Sequence, residues 1–214
     1  MSERVLDRRI EFDDRSRQFP IRALVADKPR RSYTWSCKIF LDQGREGACV
    51  GFAWAHDAAA RPKVVPLVDD LDALDLYNRA RQLDAWPGEA YDGTSVIAGA
   101  KAMQERGWLK EYRWAFSEQD LALAVGYKGP AVLGVNWYSG MWEPDGEGFL
   151  HPTGTIVGGH AILCHGYSIR DGGYYKVHNS WGQDWGARGE ARIRREDMAR
   201  LLEEWGEACI PVFR

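Results

Sequence analysis

Three residue types at distant points of the chain could together transfer an acyl group: a thiol at Cys49, an imidazole at His160 and a side-chain amide at Asn179. Cys49 lies at the start of an apolar run, 48–60, that reads as a buried helix stopped by Arg61-Pro62. A thiol in a first helical turn faces unpaired backbone N–H groups and the positive end of the helix dipole, and both favour thiolate. Cysteine is also a common core residue, so the position acquires chemical meaning only with a base and a site for developing negative charge. His56, seven residues along the same helix, stands about 10 Å away at 1.5 Å per residue, too far for proton transfer. His151 falls in a Pro/Gly loop and His165 and His178 fall inside strands. His160 differs, because Gly158-Gly159 precede it and leave its ring uncrowded. Asn179 ends a strand and Trp181 follows, offering an amide oxygen to hold an imidazole N–H and an indole to shield that bond from water.

The elements that must carry these groups change character along the chain. Helical periodicity predicts helices over 48–60, 69–83, with Leu71, Leu74 and Tyr77 on one stripe, and 95–106, closed by Gly107. Ser117 to Asp120 resembles a capping box opening a short helix to about 125. Alternation then predicts strands over 130–137, 161–169, 174–178 and 190–194. A last helix is expected over 196–205, with Met198, Leu201, Leu202 and Trp205 as its core stripe. Residues 1–31, rich in Arg and Asp, read as a charged extension lying solvated on the body.

Three blocks, Gln43-Gly44-Arg45-Glu46-Gly47-Ala48-Cys49, Gly159-His160-Ala161 with Gly166-Tyr167, and Asn179-Ser180-Trp181-Gly182-Gln183-Asp184-Trp185-Gly186, resemble the papain-like cysteine peptidases of the cathepsin family, in the family's order. The resemblance implies an α+β, two-lobed fold, with a helical lobe (about 48–108) around a central catalytic helix, an antiparallel β-barrel-like lobe (about 109–214), and a cleft between them. It implies a catalytic domain over 32–214, Cys49 as nucleophile paired as thiolate with the imidazolium of His160, Asn179 orienting His160, and Gln43 joining the Cys49 N–H in an oxyanion hole. Substrate contacts are implied at Gly93, Gly159, Trp181 and Glu207. A carboxylate at Glu207 would favour a basic side chain two positions upstream of the cut.

The sequence also departs from the family. Glu46 stands where a disulfide cysteine is usual, Val50-Gly51 replace Trp-Ala, and the 31 residues before Ser32 carry no long helical propeptide pattern. His160 follows Cys49 more closely than the roughly 130 to 150 residues usual in the family, which shorter loops would explain. Cys37, Cys164 and Cys209 read as free thiols, no metal-ligand spacing is present, and no cofactor is expected. With 28 Lys+Arg against 31 Asp+Glu, a net charge of -3 gives no field for nucleic acid or anionic membrane. The charged start and the lack of an apolar run of about 18 residues predict a cytoplasmic protein, with a virion as the alternative location. The abundance of Arg, Ala and Trp fits a prokaryotic or phage-type source, and a monomer is expected. Its expected partners are a peptide or protein substrate and a docking partner for the extension. The alternatives are an interaction protein on a papain-like shell, or an amidase or isopeptidase acting on a peptide such as that of peptidoglycan.

Overall fold

Helices come first and strands second, following the switch in hydrophobic period. The computed structural model describes residues 4–86 and 91–213. Its elements are β1 (Arg8–Arg9), α1 (Asp14–Arg17), α2 (Arg22–Val25), β2 (Tyr33–Thr34), α3 (Cys49–Ala59), α4 (Asp70–Leu83), β3 (Thr94–Ser95), α5 (Val96–Glu105), β4 (Glu111–Ala115), α6 (Glu118–Tyr127), β5 (Ala131–Tyr138), β6 (Ile156–Ser168), β7 (Tyr174–His178), β8 (Glu190–Arg194), α7 (Arg195–Glu203) and β9 (Glu207–Phe213).

α3 is buried on every side and forms the axis of the helical lobe. α4 starts at a capping box in which Asp69 and Asp72 each accept from the other's backbone. Its buried stripe is Ala73, Leu76, Tyr77 and Ala80, whereas Leu71 is 74% exposed, so the expected stripe is displaced. The reason is close packing: a Cβ at Gly51 would lie 2.3 Å from the Ala73 carbonyl oxygen, so α3 and α4 meet backbone to backbone. This contact gives the unusual Val50-Gly51 pair a structural role. α5 and α6 are capped by Ser95 and Ser117, whose side chains accept from Ala98 N–H and Asp120 N–H.

The sheet is antiparallel, in the order β4-β9-β5-β6-β7-β8, with β2 paired to β6. α3, α4 and α5 share one core with Val132, Ala161, Leu163 and Cys209 of the sheet. α6 and α7 close a second core around Leu133, Ile162 and Tyr175. α7 buries Met198 and Leu201, but Trp205 lies beyond its end at φ +67° and is 65% exposed, outside the expected stripe.

The extension is not a solvated arm. Ile21 and Val25 enter the core, β1 pairs in parallel with β3, and Arg22 and Arg30 reach Asp120 and Glu118. Its charges find partners on the body, and that draws it down.

Candidate active site

Cys49 is the first residue of α3, as the helix signal requires, and is fully buried. His160 lies within β6, which already begins at Ile156, and Asn179 follows the last residue of β7. Antiparallel pairing of β6 with β7 brings these two together: His160 Nε2 and Asn179 Oδ1 are 2.7 Å apart. The imidazole packs against Trp137 at 4.8 Å and Trp181 at 5.1 Å between ring centroids, so its bond to Asn179 is dry. Trp181 is 2% exposed and acts as a cover, with Arg4 over its outer face at 5.8 Å.

Gln43 is held at both ends of its amide. Ser180 Oγ donates to its Oε1 at 2.6 Å, while its Nε2 donates to the Glu46 and Val5 carbonyls at 2.8 and 3.2 Å. Ser180 was not singled out by sequence reasoning; its signal was its place beside Asn179.

The extension runs through this site. Reading along it, Val5 meets Gln43, the backbone of Asp7 meets the Cys49 thiol, and Arg8 meets Glu207. Gly93 and Gly159 flank the strand. A Cβ on Gly93 would lie 1.9 Å from the Asp7 carbonyl oxygen, and one on Gly159 would lie 2.3 Å from that of Arg8. Both glycines therefore permit close backbone approach of an extended peptide. Of the turn-rich segment before Gly93, residues 87–90 lie outside the described residues.

Glu207, at the start of β9, is buried, and its carboxylate lies 3.3 Å from Arg8 Nη2, which also donates to the Trp205 carbonyl at 2.9 Å. Gly134, register partner of Glu207, makes room: a Cβ there would be 2.5 Å from Arg8 Nε. Arg8 carries no local sequence signal, because its partner is at the other end of the chain.

Electrostatics in this arm-bound state follow from burial. The Cys49 thiol is pushed up to about 11 by desolvation, which hydrogen bonding from the Ala161 and Asp7 backbone only partly offsets. His160 is driven down to about 4 by desolvation, against the stabilising bond to Asn179. Both groups rest neutral, unlike the implied thiolate–imidazolium pair, because both are buried. All four cysteines are buried, and Cys49, Cys164 and Cys209 are free, with Cys164 pushed up to about 12 by burial. Among the described residues no group of His, Cys, Asp or Glu is arranged to hold a metal ion, and no helix is long and apolar enough to cross a membrane.

The model of the papain family cysteine protease matches residues 88–206. The chain belongs to the papain family. Cathepsin B-like cysteine proteinase 3 of Ostertagia ostertagi is 31% identical over 129 residues, 55% of this chain and 74% of that protein. Cathepsin B-like cysteine proteinase 6 of Caenorhabditis elegans and cathepsin B-like CP3 of Giardia intestinalis are each 40% identical over shorter stretches, 31% and 39% of this chain. Those stretches span only 18% and 28% of the two relatives. The papain-family fold is shared with xylellain, a cysteine protease from Xylella fastidiosa, at TM-score 0.73 and 18% identity over 100% of this chain and 99% of the other. Digestive procathepsin L 3 of Tenebrio molitor gives TM-score 0.65 at 19% identity, covering 98% and 76%.

Proposed function

We propose that this papain-family chain is a cysteine peptidase held latent by its own N-terminal strand. The observation that carries the reading is the strand itself, an extended peptide seated between Gly93 and Gly159 with its backbone on Cys49 and a basic side chain on Glu207. Such a cleft suits peptides. In the open enzyme Cys49 attacks the scissile carbonyl, with the developing oxyanion received by Gln43 Nε2 and the Cys49 N–H, in line with Gln43's fixed amide. His160, oriented by Asn179, passes the proton to the leaving amine, and water then releases the acyl group from Cys49.

Glu207 reads a basic side chain two residues upstream of the cut. A substrate whose basic side chain meets Glu207 places the next residue toward its C-terminus at Cys49. The strand places Asp7, N-terminal to Arg8, there instead. It therefore runs against substrate polarity and offers Cys49 no correctly directed bond. The free thiols of Cys49, Cys164 and Cys209 fit a reducing compartment, and cytoplasmic location belongs to this proposal.

The test compares the full chain, a chain lacking residues 2–12, and that deletion with Cys49→Ala, on a peptide library. Cleavage after a basic residue at the second position, greater in the deletion and absent without Cys49, is expected. No Cys49-dependent cleavage of any peptide by either chain would refute it in favour of a non-catalytic shell.

A further inference from the structure

Arg9, next to the residue on Glu207, has its own receptor. Its guanidinium carbon stands 3.9 Å from the centroid of the Tyr91 ring, the closest cation to an aromatic face among the described residues. Arg9 Nε is buried and has no hydrogen-bond partner among the described residues. The aromatic face is what the cation meets at this position. A cation over a tyrosine face at this distance gains about 1 kcal/mol when partly desolvated.

The ring is built in from several sides. Arg81 Nη2 donates to the Tyr91 carbonyl at 2.5 Å, and the ring meets Trp86 edge to face at 6.1 Å. Two residues on, Gly93 N–H donates to Tyr77 Oη at 3.2 Å, fixing the loop that flanks the strand. These anchors lie on the body, apart from the extension. Above the strand, Trp86 and Gly159 border a cavity of about 410 Å³ that also takes in Arg8 and Arg9.

We propose that Tyr91 is the specificity-determining residue of a second subsite, which takes a cationic side chain three positions upstream of the cut, beside the basic one read by Glu207. The substrate class is then peptides with two consecutive basic residues before the residue at the cut. The strand's Arg8-Arg9 pair occupies the two receptors in the latent chain. The two receptors use different physics: Glu207 supplies opposite charge in a buried pocket, and Tyr91 supplies a π face.

This inference rests on the peptidase reading, and its test separates the two. The full chain carrying Arg8→Glu and Arg9→Glu, which puts like charge against Glu207 and vacates Tyr91, is assayed on peptides with Arg second from the cut and Arg, citrulline or Leu third. Citrulline keeps the shape of Arg without its charge. The expected kcat/KM for Arg is about fivefold above citrulline and Leu. Tyr91→Phe should keep that ratio and Tyr91→Leu should bring it to one. Glu207→Gln should abolish the preference at the second position while leaving the ratio at the third. Equal rates for Arg and citrulline, or a ratio indifferent to Tyr91→Leu, overturn the subsite while the peptidase stands. Absence of cleavage of every peptide overturns the peptidase reading and the subsite with it.

Discussion

Deleting the cleft strand should convert Cys49 from an inert thiol into a reactive one, and the size of the change follows from its ionisation. With the thiol at about 11 in the arm-bound chain, about one molecule in 10⁴ is thiolate at pH 7. A thiol returned to the ordinary value of about 8.5 to 9 would hold roughly 100-fold more thiolate. Nucleophilicity falls with pKa at a Brønsted slope of about 0.4 to 0.5, which takes back nearly tenfold and leaves a net gain of about tenfold toward a disulfide reagent. Uncovering the buried sulfur adds to that gain. The pH profile discriminates more sharply than the rate. If opening lets Cys49 and His160 form an ion pair, the deleted chain should react at a nearly constant rate from pH 5 to 8. The full chain should instead slow about tenfold for each unit the pH falls. The assay is the second-order rate of a dipyridyl disulfide with the full chain and with the chain lacking residues 2–12, each corrected by its Cys49→Ala form. The background should be low, because Cys37, Cys164 and Cys209 are buried. Rates within about twofold of each other, with the same slope in pH, would refute the claim that the strand controls the thiol.

Two further outcomes test the surroundings of the site. In the deleted chain, Gln43→Ala should lower kcat by about 10²- to 10³-fold, the usual cost of one oxyanion donor. Ser180→Ala, which removes the 2.6 Å bond orienting that amide, should cost about tenfold in kcat with KM unchanged, and an unaltered kcat would show that Gln43 is held without it. Burial and the neighbouring His178 and His165 drive His56 well below its ordinary value, and burial lowers His165 against Glu190, with His178 and Lys176 opposing protonation. Histidines kept neutral in the fold leave stability intact above the unfolded value of about 6.5 and withdraw up to about 1.4 kcal/mol each per unit below it. His56→Gln keeps an acceptor for the Leu41 N–H but takes up no proton, so its urea midpoint should fall less steeply from pH 7 to 4.5 than that of the wild type. Parallel curves would contradict this.

Cys49, His160 and Asn179 were legible because each carries a signal in its own local sequence. Cys49 starts an apolar helix, Gly158-Gly159 precede His160, and Asn179 ends an alternating strand. What escaped the sequence depends on contacts between distant segments. β4 and β9 pair with each other, but Glu-Tyr-Arg-Trp-Ala is short and mixed, and Pro211 in β9 argues locally against a strand. Pro211 is accommodated opposite Tyr112, where the register shifts. The burial of Arg8 has no local cue, since nothing near it announces a carboxylate on the last strand. Leu71 and Trp205 look like core by type and spacing, yet backbone contact at Gly51 and the end of α7 place them in solvent.

Glu207 argues against opening of the cleft by acid. With the strand docked, burial raises its carboxyl to about 7, and Arg8 offsets this only in part. With the strand gone the carboxyl faces an open cleft and returns toward its ordinary value of 4.5. The docked form thus holds a proton more tightly than the open form. Linkage makes docking more favourable as pH falls from about 7 to about 4.5, by up to about 1.4 kcal/mol or tenfold per unit, and that gain is lost as pH rises through 7. Cys49 and His160 do not cancel it: neutral when docked and an ion pair when open, they shift a proton from sulfur to nitrogen without net uptake. Latency should therefore deepen in mild acid and relax toward alkaline pH. Hydrogen exchange at residues 4–10, corrected for intrinsic rates, should show protection greater at pH 5 than at pH 8 in the full chain. Glu207→Gln, which cannot titrate, should reduce that difference whatever its effect on overall docking, leaving the share of Asp7, whose carboxyl burial also raises on the docked strand. Protection that falls on acidification in the wild type would mean that another group, one taking up its proton only in the open state, governs release of the strand.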